Sequence, residues 1–500
     1  HLNKQKSEAM GIGLNRHEKF GFGLKWVDNI KILGVYFCNT KSASEIDLNW
    51  TLKITQIKQL ILNWEKRNLG LLGKICIIKS FLLSQFIYVM QAICIPETVL
   101  KEVNTILYRF LWRKANCNRK AFEKVKRVVV NSDVDKGGIK MIDVEVMQES
   151  FLCQWLSKLA MADTLKKWTW IPSEIFSAFG RDFACLNTTV GPSKFKGLNC
   201  ITSVFWKAVL RTWVKYNKHS HNTPCKMTCI WNNSNIMYQH NVIYFKHWAK
   251  GGFTYVNDFM QDNVLLTFPA IQAILGPSPN LYLEYIVVYS AVSGYLKRNP
   301  GYETETEGIS QQLLFNGEHL ILAKSFRKHI VDLRYSFPCA VQFWKNKFDI
   351  DIDMLHWNNA YRATSESRLR ELQWKIIHNI YPTNILLKKM DLANSDRCSF
   401  CLTETDFIEH FFYECLKIKR IWSYVEQLFY ARHGLKICLN AQSVLLGIID
   451  GKTQGLNVTQ LKCINFFILV AKMCVSKYRY GTPIDIIVMF DIELQLRKFI

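Results

Sequence analysis

Four candidate metal ligands fall within eighteen residues of this chain: Cys398, Cys401, His410 and Cys415. Two residues separate the first pair, eight precede His410 and four precede Cys415. Zn²⁺ takes four nitrogen or sulfur donors at tetrahedral corners, and short ligand spacings of this kind supply them. A Cys-x2-Cys pair makes a knuckle that turns two thiolates toward one ion. His410 and Cys415 are near one helical turn apart and can converge from a short helix. The array constrains folding strongly, because so short a segment can hardly bury a core of its own, and metal binding would supply folding energy directly. Phe400, Phe407, Phe411, Phe412 and Trp422 are expected to pack round the site. The four donor atoms should lie under about 4 Å from one another, as tetrahedral bonds to zinc require. Four protein ligands leave no open coordination position. Neither H-E-x-x-H nor H-x-E with P-C-x-x-C occurs in the sequence, so the expected zinc is structural and not catalytic. Cys225 and Cys229 form a looser pair, read as non-ligands.

The periodicity elsewhere predicts a mainly α chain with a β remnant at its start. Residues 29–38 alternate Ile30, Ile32, Val35 and Phe37 with polar neighbours, which reads as one strand with a bulge or close backbone approach at Gly34. Trp50, Ile54, Ile57, Ile61 and Trp64 then share one helical face. A second helix is predicted over Leu72 to Met90. Pro96 suits the first turn of a third, with a stripe of Val99, Val103, Ile106, Leu107, Phe110 and Leu111. Lys136, Gly137 and Gly138 read as a tight turn with no phosphate-loop pattern, and Asp143 as the cap of a helix carrying Phe151, Trp155 and Leu159. Residues 163–300 are less regular, and Asn299-Pro300-Gly301 with the Glu/Thr stretch 303–307 reads as an exposed linker. Helical patterning returns at 365–390, where Pro382 should end or kink the helix.

Charge narrows the partners. Lys and Arg number 64 against 41 acidic residues, a net of +23 that favours a polyanion, either nucleic acid or an anionic membrane surface. The densest run is Arg113, Lys114, Arg119, Lys120, Lys124, Lys126 and Arg127, opposed only by Glu123; beside Trp112 and Phe122 it reads as a phosphate-binding stretch. No membrane span is expected, because the apolar runs Phe81–Ile95 and Cys463–Val475 are interrupted and short of the roughly 20 residues needed. Most of the 16 cysteines are scattered singly among apolar residues, which suits reduced thiols and an intracellular location, cytoplasm and nucleus, better than a disulfide scaffold.

No catalytic residues are assigned. Nucleotidyl transfer needs clustered carboxylates to hold two metal ions, yet the sequence has no Asp-Asp dipeptide. Asp349, Asp351 and Asp353 are the nearest imitation, and they read as a solvated surface stretch.

In their order these pieces resemble the back half of the second open reading frame of LINE-type (non-LTR) retrotransposons, the reverse transcriptase. His1, Asn3, Lys6, Ser7 and Glu8 look like its late palm motif, and Ile32, Leu33, Gly34, Val35 and Phe37 like its primer-grip strand. Trp64, Arg67, Gly73, Lys74, Ile78, Lys79 and Ser80 resemble its thumb, continued by Phe110, Leu111, Trp112, Gly137, Gly138 and Ile139. Arg370, Glu371, Leu372, Gln373, Trp374 and Pro382, leading into the four ligands, resemble its zinc-binding domain. The match covers most of residues 1–160 and 340–430, with weaker similarity near Trp231 and Trp248.

The resemblance implies a palm remnant over 1–45, a helical thumb over 46–162, a connector over 163–339, a zinc-binding domain over 340–430 and a helical tail over 431–500. It implies nucleic-acid contacts at Leu33, Gly34, Lys74 and Lys79 besides the basic run, with element RNA and the primer–template duplex as partners. The endonuclease, fingers and catalytic aspartates, with their Mg²⁺, are expected upstream of His1. The expected function is therefore the nucleic-acid-holding part of an RNA-directed DNA polymerase, catalytically incomplete in this chain. The alternative is a host-adopted or decayed, non-enzymatic nucleic-acid-binding protein.

Overall fold

The apolar stripe from Trp50 to Ile61 lies against one core: Trp50, Ile54, Ile57 and Ile61 are all buried along the helix Leu52–Glu65 and the turn before it. This is the first of four cores in the computed structural model, which describes residues 7–11, 23–39, 43–112, 123–160, 167–216, 227–300, 322–451, 454–481 and 484–497. Among these residues the chain is mainly helical, and the strands form only two-stranded sheets.

The expected second helix runs as Leu71–Ile77, a π-helical turn Ile78–Leu82, and Ser84–Ala92, bent by 49° at the break. The third, Glu97–Trp112, buries Val99, Val103, Leu107, Phe110 and Leu111 against the first two. Asp143 caps the next helix, Val144–Ala160, its Oδ1 accepting from the N–H groups of Glu145 at 2.8 Å and Val146 at 3.3 Å.

One expectation is corrected at the start of the chain. Residues 29–38 are not a single strand but an antiparallel hairpin, Asn29–Ile32 paired with Val35–Cys38. Leu33 and Gly34 both have positive φ, 48° and 88°, which makes a tight two-residue turn matched to the twist of the strands. The glycine marks a reversal, not a bulge, and Leu33 is left 82% exposed at its tip.

The irregular segment from 167 to 300 carries two aromatic-rich cores. One gathers Phe176, Phe179, Trp206 and Trp213; the other closes round Trp231, Trp248, Phe259 and Tyr295. Linker residues 301–321 lie outside the described residues.

From Ala340 to Phe490 a single hydrophobic core includes the helices Met354–Ala363, Ser367–Ile377, Arg420–His433, Val458–Tyr478 and Ile486–Leu496. Val458–Tyr478 has 21 residues and is long and apolar enough to cross a membrane, a length that the sequence pattern understated. Here it is the central helix of that core, burying Phe466, Phe467, Ile468 and Val470. Lys472 is fully buried on it, bonded to the Gln373 side chain and lying 3.4 Å from the Leu445 carbonyl.

The helix Ser367–Ile377 joins the two ends of the molecule. Leu369, Leu372, Ile376 and Ile377 belong to the C-terminal core, whereas Trp374 belongs to the first core. Glu371 Oε2 accepts from the Leu71 N–H at 2.6 Å and so caps the start of the Leu71–Ile77 helix from 300 residues away. The Gly137 carbonyl accepts from Trp374 Nε1 at 2.9 Å and lies 2.7 Å from His378 Nε2. A carbonyl only accepts, so the neutral imidazole carries its proton on Nε2. Gly137 sits at φ 82°, and a Cβ there would stand 2.9 Å from the Trp357 ring and 3.1 Å from Pro338. The tight turn is thus a docking point, and glycine is needed for both its conformation and its closeness.

Burial pushes the His378 imidazole down to about 4, only partly offset by its bond to Gly137. An unfolded histidine takes a proton near pH 6.5, so its stabilising share is complete above that pH and is lost as pH falls toward 4. The slope is about 1.4 kcal/mol per pH unit. Between pH 6.5 and 5 the protein should therefore lose about 2 kcal/mol more stability than His378→Gln, which keeps a donor for Gly137 without titrating. Urea unfolding at the two pH values checks this; equal losses would mean that His378 is not held neutral.

Candidate metal centre and basic surface

Cys398 and Cys401 sit on a small loop closed by local hydrogen bonds. The Cys398 N–H donates to the Glu404 carbonyl at 2.7 Å, and Arg397 and Thr405 form an antiparallel bridge beside it. The Phe400 N–H points at Cys398 Sγ, 3.4 Å away, and Leu402 turns the loop with φ 62°. On the other side His410–Glu414 is a π-helical turn, in which the Cys415 N–H donates to the His410 carbonyl at 3.1 Å. That i→i+5 geometry brings residues five apart to the same side, as the ligand spacing requires.

The four donor atoms converge. Cys398 Sγ is 3.9 Å from Cys415 Sγ, Cys401 Sγ is 3.4 Å from His410 Nε2, and all four lie within 4.8 Å of one another. A zinc tetrahedron with bonds near 2.3 Å has edges of about 3.8 Å. Those two pairs lie near that edge, and the set as a whole extends to 4.8 Å. The sulfurs are not bonded to each other, so this is not a disulfide. Burial pushes the Cys398 thiol up to about 12, with Cys415 beside it adding to the shift; burial also raises Cys415. Cys401 goes the other way: burial raises it, but hydrogen bonds from Thr403, Glu404 and His410 bring it down to about 6. Without a metal Cys398 and Cys415 therefore stay protonated, and a cation at the point of convergence would stabilise all three as thiolates.

The expected aromatic packing holds for Phe411, Phe412 and Trp422, which are fully or nearly fully buried, and for Phe400, which stacks on Tyr478. Phe407 departs from it, being 51% exposed. Sequence reasoning missed Asp406, which is buried four residues before His410. Its Oδ2 accepts from the Asn384 N–H at 2.6 Å and faces Arg479 at 3.5 Å, tying the segment before His410 to the Asn384–Lys389 helix and to the end of the central C-terminal helix.

Four protein donors with no open position define a closed, structural class of metal site. Residues 339–422, which contain all four, match the family described as zinc-binding in reverse transcriptase. The C-terminal region is thus reverse-transcriptase-related, and the cluster and the match together support a structural zinc. Comparison with curated proteins gives no match.

The basic residues expected to meet nucleic acid separate into groups. Arg113, Lys114, Arg119 and Lys120 lie outside the described residues. Arg127 is committed to Glu123, with contacts of 2.9 and 2.5 Å, and stacks over the Tyr108 ring. Lys74 points inward: it is 9% exposed, with its Nζ 3.5 Å from the Leu111 carbonyl and over the Phe110 ring. Packing of the helices Leu71–Ile77 and Glu97–Trp112 removes Lys74 from the surface. Lys126 is exposed, Lys124 and Lys79 are half-buried, and Leu33 and Gly34 form the hairpin tip. Asp349 and Asp351 stand on the surface beside Lys345, and Asp353 caps the helix Met354–Ala363, as a solvated stretch should.

Removing the metal by chelation, or replacing Cys398 with Ser, should raise amide exchange over residues 390–425 and leave the helices Leu52–Glu65 and Glu97–Trp112 protected. On the order of 10 kcal/mol of metal-binding energy is at stake in small zinc units. Unchanged exchange over 390–425 after both treatments would show that the loop folds without a metal.

Proposed function

We propose that this chain is the C-terminal, nucleic-acid-holding part of a LINE-type retrotransposon reverse transcriptase, an RNA-directed DNA polymerase of target-primed reverse transcription. The observation that carries the reading is the Cys398, Cys401, His410, Cys415 cluster inside a segment that matches the reverse-transcriptase zinc-binding family. The net charge of +23 fits polyanionic partners, the element RNA and the primer–template duplex, inside the cytoplasm and nucleus. The helices between Leu52 and Trp112 play the thumb in this reading, lying along the duplex and contacting phosphates through the basic stretch after them. Zinc orders the C-terminal core and takes no part in chemistry. No residue of this chain is assigned to phosphoryl transfer, and Mg²⁺ belongs to the aspartates of the complete enzyme.

Phosphate contacts make binding depend on salt. With about five cations on phosphates, log K should fall against log salt with a slope of roughly −4.5 for duplex DNA and −3.5 for single strands. Neutralising Arg119, Lys120, Lys124 and Lys126 to Gln should weaken binding equally across unrelated sequences and flatten the slope, because phosphate contacts carry no base information. Fluorescence anisotropy with a labelled primer–template from 50 to 200 mM salt reads both. Parent-like binding by the quadruple variant would reduce the stretch to a solvated face, and absence of salt-dependent binding by the parent would end the reading altogether.

A further inference from the structure

The helix Ala323–Arg334 is tied down at its C-terminal end. Arg334 bonds Glu145 at 3.1 Å and Glu149 at 2.6 Å, Asp332 pairs with Lys136 at 2.5 Å, and the Tyr335 hydroxyl donates to the Lys136 carbonyl at 3.0 Å. Its inner face is apolar: Ala323 packs on the first core, Phe326 on the second, and Ile330 is buried. Lys324, Arg327 and Lys328 fall at i, i+3 and i+4, on one flank beside that inner face. Lys324 and Lys328 are exposed and Arg327 is half-buried. Among the described residues none of the three side chains forms a hydrogen bond or an ion pair.

A second group of cations meets this flank. Lys79 projects from the π-helical turn Ile78–Leu82, half-buried and likewise without a hydrogen bond or ion pair among the described residues. Ala323 packs on the core that holds Ile78 and Leu82, on either side of Lys79, and Lys136 of the turn leading to Lys140 pairs with Asp332, so both groups border this helix; burial lowers the proton affinity of Lys79, and the charges of Arg327 and then Lys140 lower it further. Burial also lowers Arg327. Asp133 acts on Lys79 in the opposite sense, and Lys140 already pairs with that carboxylate at 3.3 Å. Like charges in excess over their carboxylates repel one another, and an anion laid across them relieves that repulsion.

We propose that Lys79, Lys140, Lys324, Arg327 and Lys328 form one ridge that binds the phosphate backbone of nucleic acid, with the Ala323–Arg334 helix contributing three of its five cations. The inference rests on the nucleic-acid reading above and assigns a contact role to a segment outside both the thumb-like helices and the zinc-binding match. Its cations come from separate elements and spread along a surface, which suits a chain of phosphates better than a single one. Arg327 supplies a planar fork for a phosphate, and the lysines supply point charges beside it.

The test uses residues 1–500 with a labelled RNA–DNA duplex, measured by anisotropy as salt is varied, and with zinc content and circular dichroism confirming the fold of each variant. Lys79→Gln with Arg327→Gln should weaken binding roughly 10-fold and flatten the slope by about 1.8, the share of two phosphate contacts. Lys324→Glu with Lys328→Glu, both at exposed positions, should weaken binding at least as much, whereas Arg327→Lys should bind close to the parent. Lys194→Gln with Lys250→Gln, exposed cations elsewhere, should leave the slope unchanged. If the parent binds with a steep salt slope and both ridge variants match it, the ridge is wrong and the nucleic-acid reading stands. If the parent shows no salt-dependent binding, both fall. Loss of binding to phosphatidylserine vesicles alone, with nucleic-acid binding intact, would also overturn the ridge as a nucleic-acid site.

Discussion

Four donor atoms that converge within 4.8 Å of one another hold the C-terminal core in register. Cys398 and Cys401 come from a loop with little apolar content, and His410 and Cys415 from a five-residue π turn. Neither element would keep its shape alone, since a single unsupported turn does not offset the entropy of ordering it. Once they are joined, Phe411 and Phe412 are fixed against Tyr381, with ring centroids 5.1 and 4.7 Å apart, and the Trp422 indole donates to the Phe412 carbonyl at 2.8 Å. Through those rings the site sets the positions of the helix Arg420–His433 and the turn after Ile377, and so the floor on which Val458–Tyr478 packs.

That core is coupled to the helices at the other end of the sequence through one helix face. Glu371, Trp374 and His378 lie at i, i+3 and i+7, and all three reach across to backbone groups of the first core. The Trp357 and Trp374 rings flank His378 with centroids 4.8 and 4.4 Å away, which excludes water from its bond to Gly137. The C-terminal core and the first core, joined by buried, directional bonds, hold each other in a fixed arrangement.

Much of this was legible from spacing alone. The ligand array follows from residue types that zinc demands, and helical stripes such as Val99 to Leu111 follow from burial on a 3.6-residue period. Local signals failed where the partner is distant in sequence. Nothing near Gly137 shows that its carbonyl serves Trp374 and His378, and nothing near Glu371 shows that it caps a helix beginning at Leu71. Lys74 and Lys79 share an apolar-and-lysine pattern, yet packing buries one and leaves the other half-buried at the surface. Gly34 could mark a bulge or a reversal, and only the positive φ of its neighbour Leu33 decides. The aromatic cores around Trp206 and Trp248 set the helices Val204–Tyr216 and Leu281–Arg298 against 3-10 turns and two-residue strands, and the periods of those short pieces are too brief to read.

The account stands or falls on the metal. X-ray absorption at the zinc edge, on the purified chain with its metal content measured in parallel, reads the ligand set directly. The prediction is one zinc per chain with three sulfurs near 2.3 Å and one nitrogen at roughly 2.0–2.1 Å. A chain that folds without zinc, or a zinc bound mainly by oxygen, would contradict it.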